Sequence, residues 1–226
     1  MSVELLDVFG DDLTVVNAAR VSFAKESTKM TAGDEKLVKY LAEHNHVTPF
    51  FHPQARFRLK MPIFIAREWF RHQIGFARNE VSRRYVDTDP EFWMPDILRK
   101  RDTNKKQGSK DEQIQYNGHC LAHIRATNEK ALETYKYLLG HDVCPEQARA
   151  VLPQSMMTEF IETGSLAAYA RLYNLRTDPH AQREIQELAE QVGFLLAEKF
   201  PISWAALTSS HPSSEAELSN AVSHSS

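Results

Sequence analysis

The sequence predicts an α+β or mixed α/β fold, and three observations lead there. Residues 54–61 alternate strictly, with Ala55, Phe57, Leu59 and Met61 on one side and Gln54, Arg56, Arg58 and Lys60 on the other; this is the period of a half-buried strand. Elsewhere the apolar residues recur mainly at helical spacing, so helices dominate. The remaining strand candidates, 3–8 and 154–162, are separated by helical segments. At 226 residues the chain is one large domain or two small ones.

In order, residues 3–8 are short and apolar and read as a strand. Asp11 and Asp12 then cap a helix carrying Val15, Val16, Ala18 and Ala19, because a short acidic side chain accepts from the free N–H groups of a first turn. Residues 25–33 predict a polar loop, and 34–44 a helix with Leu37, Val38 and Leu41 on one face. Pro62 suits the first turn of a helix over 63–72. Residues 87–110, with Pro90, Pro95 and a polar run, read as a long loop. A long helix over 111–139 ends at Gly140, and Pro145 opens a short one to Val151. A strand over 154–162 precedes helices over 165–175 and 180–199, the second capped by Asp178 with Pro179 at its first position. Residues 209–226 are Ser-rich with few large apolar side chains and predict a disordered tail.

With 42% hydrophobic and 25% charged residues, the composition excludes a disordered chain, a collagen-like repeat and a disulfide scaffold. The formal net charge is −3, so bulk charge does not attract nucleic acid and any bound anion needs a local cationic cluster. Cys120 and Cys144 form no CxxC pair and read as free thiols in a reducing compartment. No apolar run approaches the roughly 20 residues of a membrane span. The N-terminus, with Glu4 and Asp7, lacks the basic start and apolar stretch of a secretory signal. A soluble cytoplasmic protein is expected.

The densest chemistry lies in residues 67–85, REWFRHQIGFARNEVSRRY. Arg67, Arg71, Arg78, Arg83 and Arg84 offer forks that match phosphate oxygens, and Ser82 adds a hydroxyl donor. The plainer reading is a solvated helix face with pairs such as Glu68 and Arg71. Residues 43–52, EHNHVTPFFH, bring His44, His46 and His52 together at irregular spacing across Pro49; surface histidines are favoured there over metal ligands. Arg149 sits in CPEQARAVLP, and Arg171, Arg176 and His180 in GSLAAYARLYNLRTDPHAQRE. No P-loop, GxGxxG, GxSxG or HExxH is present, and neither cysteine has surroundings that mark a nucleophile. Such a chain would bind and orient charged ligands while an organic cofactor carries the hard chemistry.

Together and in this order, these segments resemble the flavin-dependent thymidylate synthases. The family signature, RHR, a spacer and Ser, stands here as Arg71-His72-Gln73, residues 74–81 and Ser82, followed by Arg83-Arg84-Tyr85. PIFIAREWF, HVTPF, ARAVLP and NLRTDPHAQREI also look like that family. The resemblance implies a single α+β domain over 1–208, with helices packed around a small sheet. It implies reductive methylation of dUMP to dTMP, with methylenetetrahydrofolate as carbon donor, NADPH as reductant and non-covalent FAD as hydride carrier. It also implies a homotetramer with shared active sites.

The same resemblance implies roles position by position. Arg176 matches the arginine that contacts the uracil, where a fixed cation favours negative charge developing on the ring. Glu68, Arg71, Glu80, Ser82, Arg83, Arg84 and Arg149 complete the implied dUMP set. His46, Thr48, Arg71, His72, Gln73, Glu80, Arg171 and His180 form the implied FAD set, and no metal is implied. Several positions depart from the family. Gln73 replaces the second signature arginine, and Glu68 stands where a glutamine commonly meets the nucleotide, an acid that needs pairing with Arg71 or Arg67. Phe51 replaces a common glutamate. Ser165, Ala167 and Arg171 replace an Asn, Arg and Asn set, and Arg171 would restore a positive charge. The competing readings are a relative that binds flavin or nucleotide without activity, a nucleic-acid module using residues 67–85, and a metal-dependent phosphohydrolase using His44, His46, His52 and His72. For His180, the plainer reading is a helix-start residue satisfied by Asp178.

Overall fold

The alternating segment forms β2 (Gln54–Pro62) in a computed structural model that describes residues 1–86, 88–103 and 108–209. Its inward residues Ala55, Phe57, Leu59 and Met61 are buried. Its outward face is laced to β1 (Ser2–Phe9) by ion pairs, Arg56 with Asp7 and Arg58 with Glu4 at 2.9 Å, the cross-strand pairing that stabilises a half-exposed ladder. On its other side β2 pairs antiparallel with β6 (Met157–Ser165), which pairs with β3 (Phe76–Glu80), so the strand order is β1-β2-β6-β3. β4 (Arg99–Arg101) and β5 (Ser109–Gln113) pair antiparallel as a separate two-stranded sheet.

Helices cover the sheet's apolar face. α1 (Asp12–Arg20), α2 (Ala32–Glu43) and α3 (Ile63–Trp69) contribute Val15, Val16, Val38, Ile65 and Trp69 to the core. α6 (Leu166–Arg176), α7 (Arg183–Lys199) and α8 (Pro201–Thr208) add Tyr169, Leu172, Ile185, Leu188, Leu196 and Trp204. α4 (Asn117–Gly140) and α5 (Pro145–Ala148) lie outside this core; of the 24 residues in α4 only Asn128 and Tyr135 are buried. The α+β expectation holds, with helices around a small sheet. Among the described residues no helix is long and apolar enough to cross a membrane.

The differences from the sequence reading have local causes. β3 was not foreseen, because its FARNE sequence is polar and it is held as an edge strand by backbone pairing to β6. Of the expected loop over 87–110, residues 99–101 form β4 and residues 109–110 open β5; the two strands pair, with Lys100 bound to Glu112 at 2.6 Å, while residues 87 and 104–107 lie outside the described residues. Asp111 therefore lies in a strand, and the long helix starts at Asn117. Strand β6 lies three residues later than residues 154–162, set by its register of Gln54 opposite Ser165 and Pro62 opposite Met157. The helix over 63–72 ends at Trp69, and Pro62 is the last residue of β2 and the N-cap of α3.

Two cap assignments are corrected. Asp11 caps α1 in a capping box with Thr14, whereas the buried Asp12 accepts from the backbone N–H groups of Ile202 at 3.0 Å and Ser203 at 2.8 Å, at the start of α8. Asp178 does not cap the helix over 180–199: α7 starts at Arg183 with Gln182 as N-cap, and Asp178 instead accepts from His180 N–H at 2.7 Å. α2 begins slightly before residue 34, capped by Thr31 with Asp34 as its reciprocal partner. The Ser-rich tail beyond Ser209 lies outside the described residues.

Candidate active site

α3 ends because the chain must turn into β3, and Gly75, at φ +85°, supplies the left-handed residue of that turn. A Cβ there would lie 2.9 Å from the Ala168 Cβ, so the turn is pressed against α6. This docking brings Glu68, at the end of α3, and His72 against Arg176, in the last turn of α6. The Arg176 guanidinium donates through one terminal nitrogen to the Glu68 carboxylate and through the other to the Glu68 carbonyl at 3.3 Å. Its Nε donates to His72 Nε2 at 2.9 Å. An imidazole nitrogen that accepts carries no proton, so His72 is neutral with its hydrogen on Nδ1. Burial, then the charges of Arg176, Arg78 and Arg171, lower its pKa from 6.5 to about 4. Glu68 thus pairs with Arg176 rather than with Arg71 or Arg67, as sequence proximity suggested.

Adjacent helix positions point about 100° apart, so Arg67 faces a different space from Glu68. That space is a cavity of about 630 Å³ lined by Arg67, Glu80, Ser82, Arg83, Arg149 and Thr158, among others. Glu80 accepts from the Thr158 hydroxyl at 2.6 Å. Ser82 Oγ accepts from Arg84 Nε at 3.4 Å, and Arg84 reaches Glu146 on the cavity wall at 3.5 Å. The Arg83 Nε is buried without a hydrogen-bond partner while one of its terminal nitrogens donates to the Thr88 carbonyl. A buried, unpaired guanidinium N–H beside two more arginines and a serine hydroxyl suits a phosphate or similar anion.

Beneath the α3–β3 turn, the fully buried Glu162 carboxylate accepts from Trp69 Nε1 at 3.1 Å and from Arg78 Nε. Arg78 lies over the Phe70 and Phe76 rings, 5.1 and 4.8 Å from their centroids. Burial pushes the Glu162 pKa up against the pull of Arg78. The sequence reading missed Glu162, Thr158 and Glu146. The signal for Glu162 was an acid on the inward face of an alternating strand, between Phe160 and Gly164.

The implied FAD residues do not share one cavity of the single chain. His46 and Thr48 line a cavity of about 990 Å³ with Arg20, Tyr40 and His52. His180 lines another, of about 410 Å³, with Arg99 and Arg183; its ring meets the Asp178 carboxylate at 2.9 Å, the partner the plainer reading named, but it lies in the turn before α7 and not at a helix start. Arg71 and Gln73 are exposed on the α3–β3 turn, where Arg171 donates to the Ile74 carbonyl at 2.7 Å and lies over the Phe51 ring. Ser165 and Ala167 are buried; Ser165 caps α6 by accepting from Ala168 N–H at 3.2 Å, so both serve the fold. These residues fit a flavin dinucleotide by donor chemistry. Arg71, Gln73 and Arg171 supply donors for a pyrophosphate, and the 990 Å³ cavity has an aromatic wall for a flat ring.

Two of the competing readings, the nucleic-acid module and the metal-dependent phosphohydrolase, find little support in the same geometry. Residues 67–85 form no continuous basic face, because Arg78 is paired with Glu162 and Arg84 with Glu146. His44 stacks on Tyr40 with centroids 4.1 Å apart, and His46 meets both rings edge-on. Among the described residues no group of three or more His, Cys, Asp or Glu is placed to hold a metal.

Comparison with known proteins accords with this arrangement. A family described as Thy1, thymidylate synthase complementing protein, matches residues 4–202. The chain is 42% identical over 202 residues to the flavin-dependent thymidylate synthase of Thermosipho africanus, covering 88% of this chain and 87% of the relative. To the enzyme of that name from Thermus thermophilus it is 38% identical over 204 residues, covering 90% and 74%. Its fold superposes on a UMP/dUMP methylase, PolB from Streptomyces cacaoi, solved with 5-Br dUMP, at a TM-score of 0.83 with 31% identity over 92% of this chain and 94% of that one. With the match running from β1 into α8 and embracing every segment that builds the site, the chain belongs to the flavin-dependent thymidylate synthase family.

Proposed function

We propose that this chain methylates dUMP to dTMP, with FAD as hydride carrier, methylenetetrahydrofolate as carbon donor and NADPH as reductant. The observation that carries the reading is the 630 Å³ cavity, where Arg67, Arg83, Arg149 and Ser82 converge and the Arg83 Nε lacks a partner. Across α3 from it stands Arg176, held by Glu68 and His72. A nucleoside monophosphate suits these two groups, with its dianion in the arginine cavity and its neutral ring, which carries carbonyl oxygens, at an Arg176; because α3 stands between the two within one chain, the Arg176 that meets the ring comes from another copy.

Each group then has a physical task. Arg83, Arg84 and Arg149 bind the phosphate by charge-assisted hydrogen bonds, with Ser82 orienting Arg84. Arg176 faces the uracil and stabilises negative charge that grows on it as hydride arrives. Arg71, Gln73, Arg171 and His180 hold the dinucleotide, and His46 and Thr48 border its ring. A bound flavin supplies the two-electron chemistry that no side chain here provides. The dispersal of these residues over separate cavities supports sites completed by other copies, in a homotetramer. A single domain over 1–208 and a cytoplasmic location complete the proposal.

The test is an absorbance spectrum of the purified protein, then anaerobic NADPH oxidation with and without dUMP, then product analysis with methylenetetrahydrofolate. The expected result is a flavin spectrum, bleaching that responds to dUMP, and dTMP as product. Absence of flavin after incubation with excess FAD would overturn it. UMP is assayed beside dUMP, because the structural neighbour is a methylase of both. In the same assay Arg176→Ala is expected to lower kcat by about 10²–10³.

A further inference from the structure

We infer that Glu68 is a positioning residue: its carboxylate and its backbone carbonyl together clamp the Arg176 guanidinium, and that clamp aims the Arg176 Nε at His72. The inference rests on the proposed role of Arg176 but not on Glu68 touching any ligand. Where a glutamine would offer one neutral acceptor, the carboxylate adds a full opposite charge in a partly enclosed place, with 11% of the Arg176 side chain and 22% of the Glu68 side chain exposed. The pair also fixes direction. Both terminal nitrogens of Arg176 are drawn toward the end of α3, which leaves its Nε one target, the ring of His72.

Three consequences follow from this geometry. A side chain as long as arginine has many rotamers, and bonds to two elements reduce them to one before any ligand arrives; such preorganisation is what an electrostatic catalyst needs. His72 is fixed as a neutral acceptor, so its Nδ1–H is the donor it can offer to a neighbouring ligand. The paired charges of Glu68 and Arg176 cancel, so the arginine acts through aimed N–H donors more than through net charge. The charged groups around His72 are Arg176, Arg171 and Arg78, with Glu68 facing it through Arg176.

Glu68→Ala and Glu68→Gln test the inference. Glutamine keeps an oxygen acceptor for Arg176 and removes the charge; alanine removes both. The first readout is steady-state kinetics. Glu68→Ala is expected to lower kcat/KM for dUMP by about 100-fold, the scale of a misplaced catalytic group, and Glu68→Gln to recover most of it. The second is the NMR titration of His72 in the flavin-loaded protein. In Glu68→Ala the Arg176 Nε is no longer held on the ring, so the His72 Nε2 resonance and its titration should depart from the wild-type curve while burial keeps the pKa below 6.5, and in Glu68→Gln both should stay near wild type. A glutamine variant as impaired as the alanine variant while its His72 titration stays at wild type would mean that the carboxylate acts on the ligand or on a proton and not through the aim of Arg176, which overturns the inference. So would unchanged titration and kinetics in both. Wild-type protein without turnover would refute the proposed activity alone, because the His72 titration needs no substrate.

Discussion

His72 is the residue through which the site's electrostatics reach stability. Its folded pKa is about 4 against an ordinary 6.5, lowered first by burial and then by Arg176, Arg78 and Arg171. Between those values the unfolded chain binds a proton that the folded chain refuses, so folding stability falls as pH drops from about 6.5 to about 4 and this contribution is fully present above that window. Urea unfolding across the window should show that loss in the wild type and a flatter curve in His72→Asn. Arg78 is placed differently. Its partner Glu162 is fully buried, and removing one member of a buried pair leaves the other uncompensated. Arg78→Ala should therefore destabilise the fold by about 3–5 kcal/mol, measured by urea unfolding. The motif residues Ser82, Arg83, Arg84 and Arg149 were legible in the sequence because arginine clusters advertise anion chemistry. Glu146, Thr158 and Glu162, which pair with Arg84, Glu80 and Arg78, were not, because they lie 62 to 84 residues away in the chain from those partners.

Elements were legible where one face is buried and the other solvated. β2, α2 and the apolar stripe of α7 are of this kind, since their patterns are imposed by a single boundary. β3 and the β4–β5 pair carry no such pattern and exist through backbone pairing and ion pairs such as Arg99 with Glu184 at 2.8 Å. The start of α8 depends on Asp12, a residue at the other end of the chain. Asp12→Ala leaves two N–H groups at that start without their acceptor, and chemical denaturation should register a loss of about 1–2 kcal/mol. Gly164 is equally specific. A Cβ there would lie 2.5 Å from Phe76 and 2.8 Å from Tyr169, so Gly164→Ala should cost about 1–3 kcal/mol by the same measurement.

For the whole molecule, the dispersal of the implied ligand residues and the sparse burial of α4 belong together. A 24-residue helix with two buried residues stabilises little within one chain, and His46 opens on a cavity separate from the one that holds Arg149. If the proposed shared sites form, His46→Ala and Arg149→Ala variants that are each inactive alone should regain activity when refolded together. Roughly a quarter of the sites in an equal mixture would then carry neither change. Unchanged inactivity in the mixed assembly, confirmed by its mass in solution, would argue for sites built within one chain.

The α+β class, the half-buried centre strand, the arginine-rich segment and the family resemblance are written in the order of the residues, because period, composition and short-range motifs are properties of chain neighbours. That Glu68 holds Arg176, that Asp12 serves α8 and that Arg78 rests on Glu162 are set by the folded packing. The physical reason is the same in each case. A partly or wholly buried charge takes its partner from whatever element packing brings within reach, and that choice is made by the sheet register and the docking of α6, not by distance along the chain.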